Sequence, residues 1–152
     1  MKFILFFSII LLDQLTKYTI TNSLSVNSAY KILPFFDLVN IHNKGISFGL
    51  FSESFPSWLI IIIVGLVIIV LIYWFFIADK IIEKWGLIII IAGASGNFID
   101  RLLHNHVVDF LYFHYKSYYW PAFNFADIAI TIGVIILIIA TYRTYKYRLN
   151  NE

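Results

Sequence analysis

The fold is decided by residues 57–78, which read SWLIIIIVGLVIIVLIYWFFIA and contain no charged side chain. A helix of about 20 mostly apolar residues crosses the hydrocarbon core of a bilayer, roughly 30 Å thick, because each helical residue rises about 1.5 Å. This stretch therefore predicts a membrane-spanning helix. The whole chain of 152 residues is 61% hydrophobic and only 13% charged, which excludes an ordinary water-soluble domain.

Three weaker windows of similar length flank this stretch, and each contains charged residues. The first window could pass for a signal peptide, but it lacks a small-residue cleavage site and Asp13 and Lys17 interrupt it, so we expect a retained span. The pattern predicts an all-α integral membrane protein with a single membrane domain covering residues 1–152. The predicted transmembrane helices are residues 3–22, 57–78, 85–103 and 121–142, and the two outer loops are residues 23–56 and 104–120.

The distribution of lysine and arginine predicts the orientation, because these residues collect on the cytoplasmic side of membrane proteins. We expect both termini in the cytoplasm. The first outer loop contains a β-type run, Ile41–Phe48, and predicts a small β-type extracytoplasmic region. The second outer loop is rich in aromatic residues and predicts an interfacial aromatic segment. The basic residues on the cytoplasmic side are Lys2, Lys80, Lys84, Arg143, Lys146 and Arg148, and those on the outer side are Lys31, Lys44 and Lys116.

Several ionisable residues fall inside the predicted spans. Each costs about 2.5–3.5 kcal/mol at the centre of a span, so each needs a partner or a function. Asp13 and Lys17 are four residues apart on one helical face, where an intrahelical ion pair satisfies both. Asp100 and Arg101 are adjacent and cannot face each other, so each needs a partner on another element. The sequence therefore predicts a polar cluster among the helices.

The two carboxylates of greatest interest are Asp109 and Asp127. Asp127 lies one to two turns inside the fourth predicted span, and Asp109 follows the third span on the same side of the membrane. Two carboxylates held close together share a proton, because both cannot ionise. The ionised group can take a proton from water while the protonated group polarises a peptide carbonyl, which is aspartic-peptidase chemistry. The alternatives are a buried hydrogen-bonded pair or a proton relay, as in a proton-coupled transporter, although the chain has no internal repeat.

Other motifs are weaker. Residues 93–96, Gly-Ala-Ser-Gly, are similar to the nucleophile sequence of rhomboid serine proteases, which would make Ser95 catalytic. A serine needs a base and no histidine lies inside a span, so close packing of small residues, Ala92 and Gly96 among them, is the preferred interpretation. A zinc site is disfavoured because neither a His-Glu-x-x-His motif nor any cysteine is present. A nucleic-acid partner is disfavoured because the basic residues form no stripe.

Five short motifs follow one another along nearly the whole chain. They are Asp-Gln-x-Thr-Lys from Asp13, Asn-x-Gly-x-x-Phe from Asn43, Gly-Ala-x-Gly-Asn-x-x-Asp-Arg from Gly93, Val-Val-Asp-Phe from Val107, and Phe-Asn-x-Ala-Asp from Phe123. In this order they closely resemble the motifs of the lipoprotein signal peptidases, also called signal peptidase II. The chain departs from the usual family pattern at Ala92, where glycine is common, and at Ile46 and Ser47, which replace paired alanines.

The resemblance implies an aspartic-type signal peptidase whose catalytic dyad is Asp109 and Asp127. It implies a substrate that is a prolipoprotein carrying a diacylglyceryl cysteine, cut before that cysteine in the bacterial cytoplasmic (inner) membrane, with the active site near the outer surface. The implied partners are this lipid-modified prolipoprotein and membrane lipids, without metal, cofactor or nucleic acid. The residues implied to bind substrate or to support the dyad are Asn43, Gly45, Asn97, Arg101, Asn124, Asp13 and Lys17.

Overall fold

A computed structural model describes residues 1–45 and 56–149 of the chain. Four helices in these ranges are long and apolar enough to cross a membrane, by length and composition. The prediction of four long apolar helices is thus confirmed. The helices are α1 (Lys2–Ser23), α2 (Ser57–Ile77), α3 (Ile81–His104) and α4 (Phe125–Leu149).

The fourth helix begins later than residue 121, where the sequence window begins. The backbone N–H of Phe123 donates to the Leu111 carbonyl oxygen at 3.1 Å, and the N–H of Leu111 donates to the Phe123 carbonyl oxygen at 2.8 Å (N to O distances). Phe123 therefore pairs with the sheet and does not belong to the helix. Asn124 then starts the helix. Its side-chain oxygen accepts a hydrogen bond from the N–H of Asp127 at 3.0 Å, and its own N–H donates to the Asp127 carboxylate at 3.1 Å. This reciprocal pair has the form of a capping box.

The two loops predicted to lie on the outer side together form a four-stranded antiparallel sheet in the order β1-β2-β3-β4. The β-type region predicted in the first loop is present, and the part of Ile41–Phe48 beyond Gly45 lies outside the described residues. The second loop was predicted as an aromatic segment, and the structure shows that its residues pair with β2, from Asn43 opposite Val107 to Phe36 opposite Phe113. The strands are β1 (Ala29–Leu33), β2 (Phe36–Asn43), β3 (Val107–Tyr115) and β4 (Tyr118–Tyr119).

Helix α3 is the centre of the bundle. Its buried residues run from Gly86 to Arg101, whereas α2 buries only Ile60. Lipid is as apolar as the helix surfaces, so helices in a membrane associate mainly through close packing, and small residues permit the closest approach. Gly133 of α4 lies against Gly86, where an added Cβ atom would come within 2.7 Å of the Gly86 carbonyl oxygen. The predicted packing of Ala92 and Gly96 is also observed, because both are buried on the inner face of α3.

We expect the substitution Gly133→Ala to destabilise the bundle. The added methyl group would lie 2.5 Å from the Ile90 Cγ1 atom and 2.7 Å from a backbone oxygen, so α3 and α4 must move apart. Overpacking of this kind costs about 1–3 kcal/mol. Thermal unfolding of the purified protein in detergent micelles measures the effect as a lower Tm.

The matched control is Gly65→Ala on α2, where the nearest atoms are in the Phe98 ring at 3.4 and 3.6 Å. Both substitutions gain the same helix propensity, so the difference between them isolates the packing cost. Equal Tm values for the two variants would contradict the close approach of α3 and α4.

Candidate active site

Asp109 lies on the buried first part of β3 and is 4% exposed. It pairs with Ile41 of β2, and both of its carboxylate oxygens accept hydrogen bonds. The Asn43 side-chain amide donates to Oδ2 at 2.9 Å, and the Asn124 side-chain amide donates to Oδ1 at 2.7 Å. The position of this carboxylate is therefore set by one neighbour on β2 and one at the start of α4.

Asp127 lies in the first turn of α4 and is half-buried. Its Oδ2 atom accepts the backbone hydrogen bond from Asn124 described above, and its Oδ1 atom accepts one from the side-chain amide of Asn97 on α3 at 2.8 Å. An acidic residue in the first helical turn is also favoured by the helix dipole. The start of α4 therefore fixes the direction of this carboxylate.

Asn124 joins the two carboxylates. Its side chain is fully buried and donates to Asp109, while its backbone N–H donates to Asp127. The same side-chain amide lies 3.2 Å from the Asn97 side-chain oxygen. Because a single residue contacts both acids, Asp109 and Asp127 lie at one site, at the end of the bundle where the sheet meets the helices.

Lys17 occupies the centre of a buried ionic cluster next to this site. Its ammonium lies 2.8 Å from the Asp13 carboxylate and 2.8 Å from the Asp100 carboxylate, and it donates to the Asn97 side-chain oxygen at 2.9 Å. The intrahelical ion pair predicted for Asp13 and Lys17 is thus confirmed. Asp13 also accepts a hydrogen bond from the backbone of Ala126 at 2.9 Å, which ties α1 to the start of α4.

Arg101 supports the segment that follows β2. Its guanidinium donates to the Gly45 carbonyl oxygen at 2.8 Å and to the Asn97 carbonyl oxygen at 3.3 Å. The Gly45 N–H in turn donates to the side-chain oxygen of Asn43 at 2.9 Å, which orients the Asn43 amide toward Asp109. The prediction that Asp100 and Arg101 each find a partner on another element is confirmed.

One network therefore contains every residue that the sequence predicted for the site. The sequence prediction omitted Asp100 and Gln14 from this set, although Gln14 donates to Asp100 at 2.9 Å. The sequence did contain a signal for Asp100, because a carboxylate one turn after Gly96 in a predicted span needs a cation from another helix. The changes at Ile46 and Ser47, and the family match at Phe48, lie outside the described residues.

Burial raises the pKa of Asp109 from 3.8 to about 6. The hydrogen bonds from Asn43 and Asn124 and the charge of Lys17 lower this pKa, while the negative charge of Asp127 raises it. The desolvation of the carboxylate is the largest effect, because an ion loses its water when it is buried. A carboxyl group with such a pKa exchanges its proton readily between mildly acidic and neutral pH, as acid–base catalysis requires.

Ser95 is the alternative nucleophile that the sequence suggested. In the described parts of the chain, no hydrogen bond joins Ser95 to a histidine. The rings of His42 and His106 stack with centroids 3.8 Å apart, and His114 lies 3.2 Å from Asp37. Among the same residues, no group of three or more histidine, aspartate and glutamate side chains is arranged to hold a metal ion.

Comparison with known proteins gives one consistent match. Residues 5–143 match the family described as signal peptidase (SPase) II. The lipoprotein signal peptidase of Thermodesulfovibrio yellowstonii is 44% identical over 133 residues, covering 87% of this chain and 88% of that protein. The lipoprotein signal peptidase of Francisella tularensis subsp. novicida is 41% identical over 149 residues, covering 95% of this chain and 92% of that protein. A solved bacterial membrane enzyme at 33% identity has a TM-score of 0.83 and covers 93% of this chain and 87% of its own.

We expect the substitution Asp109→Asn to alter stability in a pH-dependent way. Below the ordinary aspartate pKa of 3.8, Asp109 is protonated in both the folded and the unfolded chain, so the substitution removes no charge. Above the folded-state pKa of about 6, the wild type must bury an ionised carboxylate that the unfolded chain leaves in water. The wild type therefore loses up to about 3 kcal/mol of stability as the pH rises through this range.

The measurement is the Tm of the variant minus the Tm of the wild type, which should increase between pH 4 and pH 7. Asp79→Asn, at an exposed residue, serves as the control and should show a much smaller trend. A difference for Asp109→Asn that stays constant with pH would contradict a buried carboxylate with a raised pKa.

Proposed function

Because the chain belongs to the signal peptidase II family of aspartic peptidases and removes signal peptides from prolipoproteins, we propose that Asp109 and Asp127 form its catalytic dyad. The observation that carries this assignment is the contact of Asn124 with both carboxylates. Two acids held at one site share a proton, which supplies one base and one acid for hydrolysis.

In the proposed reaction, the ionised aspartate takes a proton from a water molecule as the water oxygen bonds to the carbonyl carbon of the scissile peptide. The protonated aspartate donates its proton to the carbonyl oxygen, which gives a neutral tetrahedral intermediate. The carbon–nitrogen bond then breaks as the aspartate that holds the proton donates it to the leaving nitrogen. The other aspartate takes a proton from a hydroxyl of the intermediate, which becomes the new carboxyl group. One proton is again shared between Asp109 and Asp127 when the two products leave.

The surrounding polar residues have supporting roles in this proposal. Asn97 and Asn124 hold the two carboxylates in place, and Asn43 does the same for Asp109 from the sheet. Arg101 and Gly45 position Asn43, because Arg101 donates to the Gly45 carbonyl oxygen and the Gly45 N–H donates to the Asn43 side-chain oxygen. The buried Lys17 and Asp13 keep Asn97 and the start of α4 aligned.

The proposed substrate is a prolipoprotein whose cysteine already carries a diacylglyceryl group, cut on the amino side of that cysteine. Such a cleavage point lies at the membrane surface, because the acyl chains stay in the lipid. Asp127 is in the first turn of a spanning helix and Asp109 follows the end of α3, so both lie near a membrane surface. This common depth supports the proposed match between enzyme and substrate.

We place the active site at the outer surface of the bacterial cytoplasmic membrane, with both termini in the cytoplasm. The excess of lysine and arginine at the other end of the bundle supports this orientation. The sheet carries exposed aromatic residues that favour the headgroup level, and we propose that it forms an interfacial cradle for the substrate. These residues are Tyr115, Tyr118, Tyr119 and Trp120.

The variants Asp109→Asn and Asp127→Asn are each expected to lose cleavage of a lipidated precursor in detergent by at least roughly 100-fold. Neither amide can take a proton from water or donate one as a carboxylic acid does. The rate of precursor cleavage, followed by the mobility shift of the mature lipoprotein, measures the loss.

Two controls distinguish catalysis from folding. Two variants should retain cleavage: Asp37→Asn, on β2 and 3.2 Å from His114, and Ser95→Ala. Cleavage by either dyad variant at a rate near that of the wild type would overturn the assignment, and so would loss of activity in Ser95→Ala with labelling of Ser95 by a serine-reactive phosphonate.

An unlipidated precursor is expected to be cleaved far more slowly than the diacylglyceryl form. Each buried methylene contributes about 0.8 kcal/mol, so the acyl chains supply much of the binding energy. Comparison of kcat/KM for the two forms of one precursor measures this contribution. Equal values would exclude the proposed dependence on the lipid while leaving the dyad assignment intact.

A further inference from the structure

A cavity of about 270 Å³ lies at the end of the bundle opposite to the acidic site. It is formed by Lys80 just before α3, by Ile82 in the first turn of α3 and by the last turns of α4. The two helices meet there, where Lys80 donates a hydrogen bond to the Thr144 hydroxyl. The helical rise of about 1.5 Å per residue puts Thr144 roughly 25 Å from Asp127 along α4, close to the thickness of the hydrocarbon core. The cavity therefore lies at the level of the lipid headgroups on the other membrane surface.

The cavity has a cationic rim and an apolar wall. Lys80 and Arg143 supply the positive charge, and Ile82 and Ile139 line the wall. Within residues 1–45 and 56–149, the Arg143 guanidinium makes no hydrogen bond or ion pair. We call this site the basic cavity.

The charge of the basic cavity is only weakly neutralised by the protein. Glu83 is the acidic neighbour of Lys80, at 3.9 Å, and the Lys80 side chain is 43% exposed, so this ion pair contributes little. The described residues near this end of the bundle include more basic than acidic side chains. The basic residues are Lys2, Lys80, Lys84, Arg143 and Lys146, and the acidic residues are Asp79 and Glu83.

We propose that the basic cavity binds one anionic glycerophospholipid. Its phosphate contacts Arg143 and Lys80, and one acyl chain lies against Ile82 and Ile139. A headgroup that carries a net negative charge matches the rim, whereas a zwitterionic headgroup brings its own cation into an already positive site. Basic pockets between spanning helices have the chemistry that binds acidic headgroups. This proposal rests on the chain being a multi-pass membrane protein and does not depend on the catalytic dyad.

The test measures lipid binding to the full-length protein in detergent by native mass spectrometry. The wild type should bind one molecule of phosphatidylglycerol in preference to phosphatidylcholine. The double variant Lys80→Gln/Arg143→Gln should lose affinity for phosphatidylglycerol by roughly 30-fold, as expected for the loss of two cations near the membrane surface. Both side chains are at the protein surface, and an unchanged Tm verifies that the double variant folds.

Lys146→Gln is the matched control, because it removes a cation from the same end of α4 outside the cavity. It should change the affinity by at most about fivefold, the general surface attraction of one cation. Equal binding of the two lipids by the wild type would overturn the proposal. A loss in Lys146→Gln as large as that in the double variant would also overturn it, because binding would then reflect the overall charge.

A third variant tests the apolar wall. Ile139→Trp fills the apolar side of the basic cavity and retains both cations. It should therefore weaken the binding of long-chain phosphatidylglycerol and leave the affinity for dihexanoyl phosphatidylglycerol unchanged. Equal affinity of this variant and the wild type for the long-chain lipid would overturn the proposed position of the acyl chain. Displacement of the lipid by excess inorganic phosphate at constant ionic strength would identify a simple anion site and overturn the lipid assignment.

Discussion

The buried ammonium of Lys17, held between the carboxylates of Asp13 and Asp100, is the interaction on which the arrangement of the helices depends. Each of these charges alone inside a membrane would be strongly destabilising, so the three must remain together. Asp13 and Lys17 belong to α1 and Asp100 to α3, and Asp13 also accepts a hydrogen bond from Ala126 of α4. The cluster therefore fixes the rotation of α1 and its depth against two other helices.

Two different kinds of local structure position the acidic pair. Asp109 is held by strand pairing, because β3 lies between β2 and the segment that precedes α4. Asp127 is held by the helix start, because its carboxylate is part of the reciprocal hydrogen bonds with Asn124. Asn124 is the point where strand and helix meet. Both carboxylates are consequently held by the strand pair and the helix start that surround them, and such preorganisation is what the proposed catalytic site needs.

The sequence predicted the features whose causes are local and missed those whose causes are distant. Span length and the spacing of Asp13 and Lys17 follow from neighbouring residues, so both could be predicted. The pairing of β3 with β2 could not, because Val107 and its partner Asn43 are far apart in the chain. The aromatic residues of the second loop fit an interfacial segment as well as a strand, so its strands were not predicted. The family motifs predicted which residues gather at the site, but the bridging role of Asn124 and the part played by Gln14 required the structure.

The site also opposes the stability of the fold that carries it, since the raised pKa of Asp109 reflects an unfavourable burial. In a membrane, hydrophobic burial between helices cannot offset this cost, so close packing must contribute more. Gly93 connects the two requirements. An added Cβ atom there would lie 2.4 Å from the Ala126 carbonyl oxygen, so this glycine sets the spacing between α3 and the first turn of α4. Asn97 lies one turn after Gly93, and Asp127 follows Ala126. The packing that stabilises the bundle therefore also sets the distance across which Asn97 bonds to Asp127.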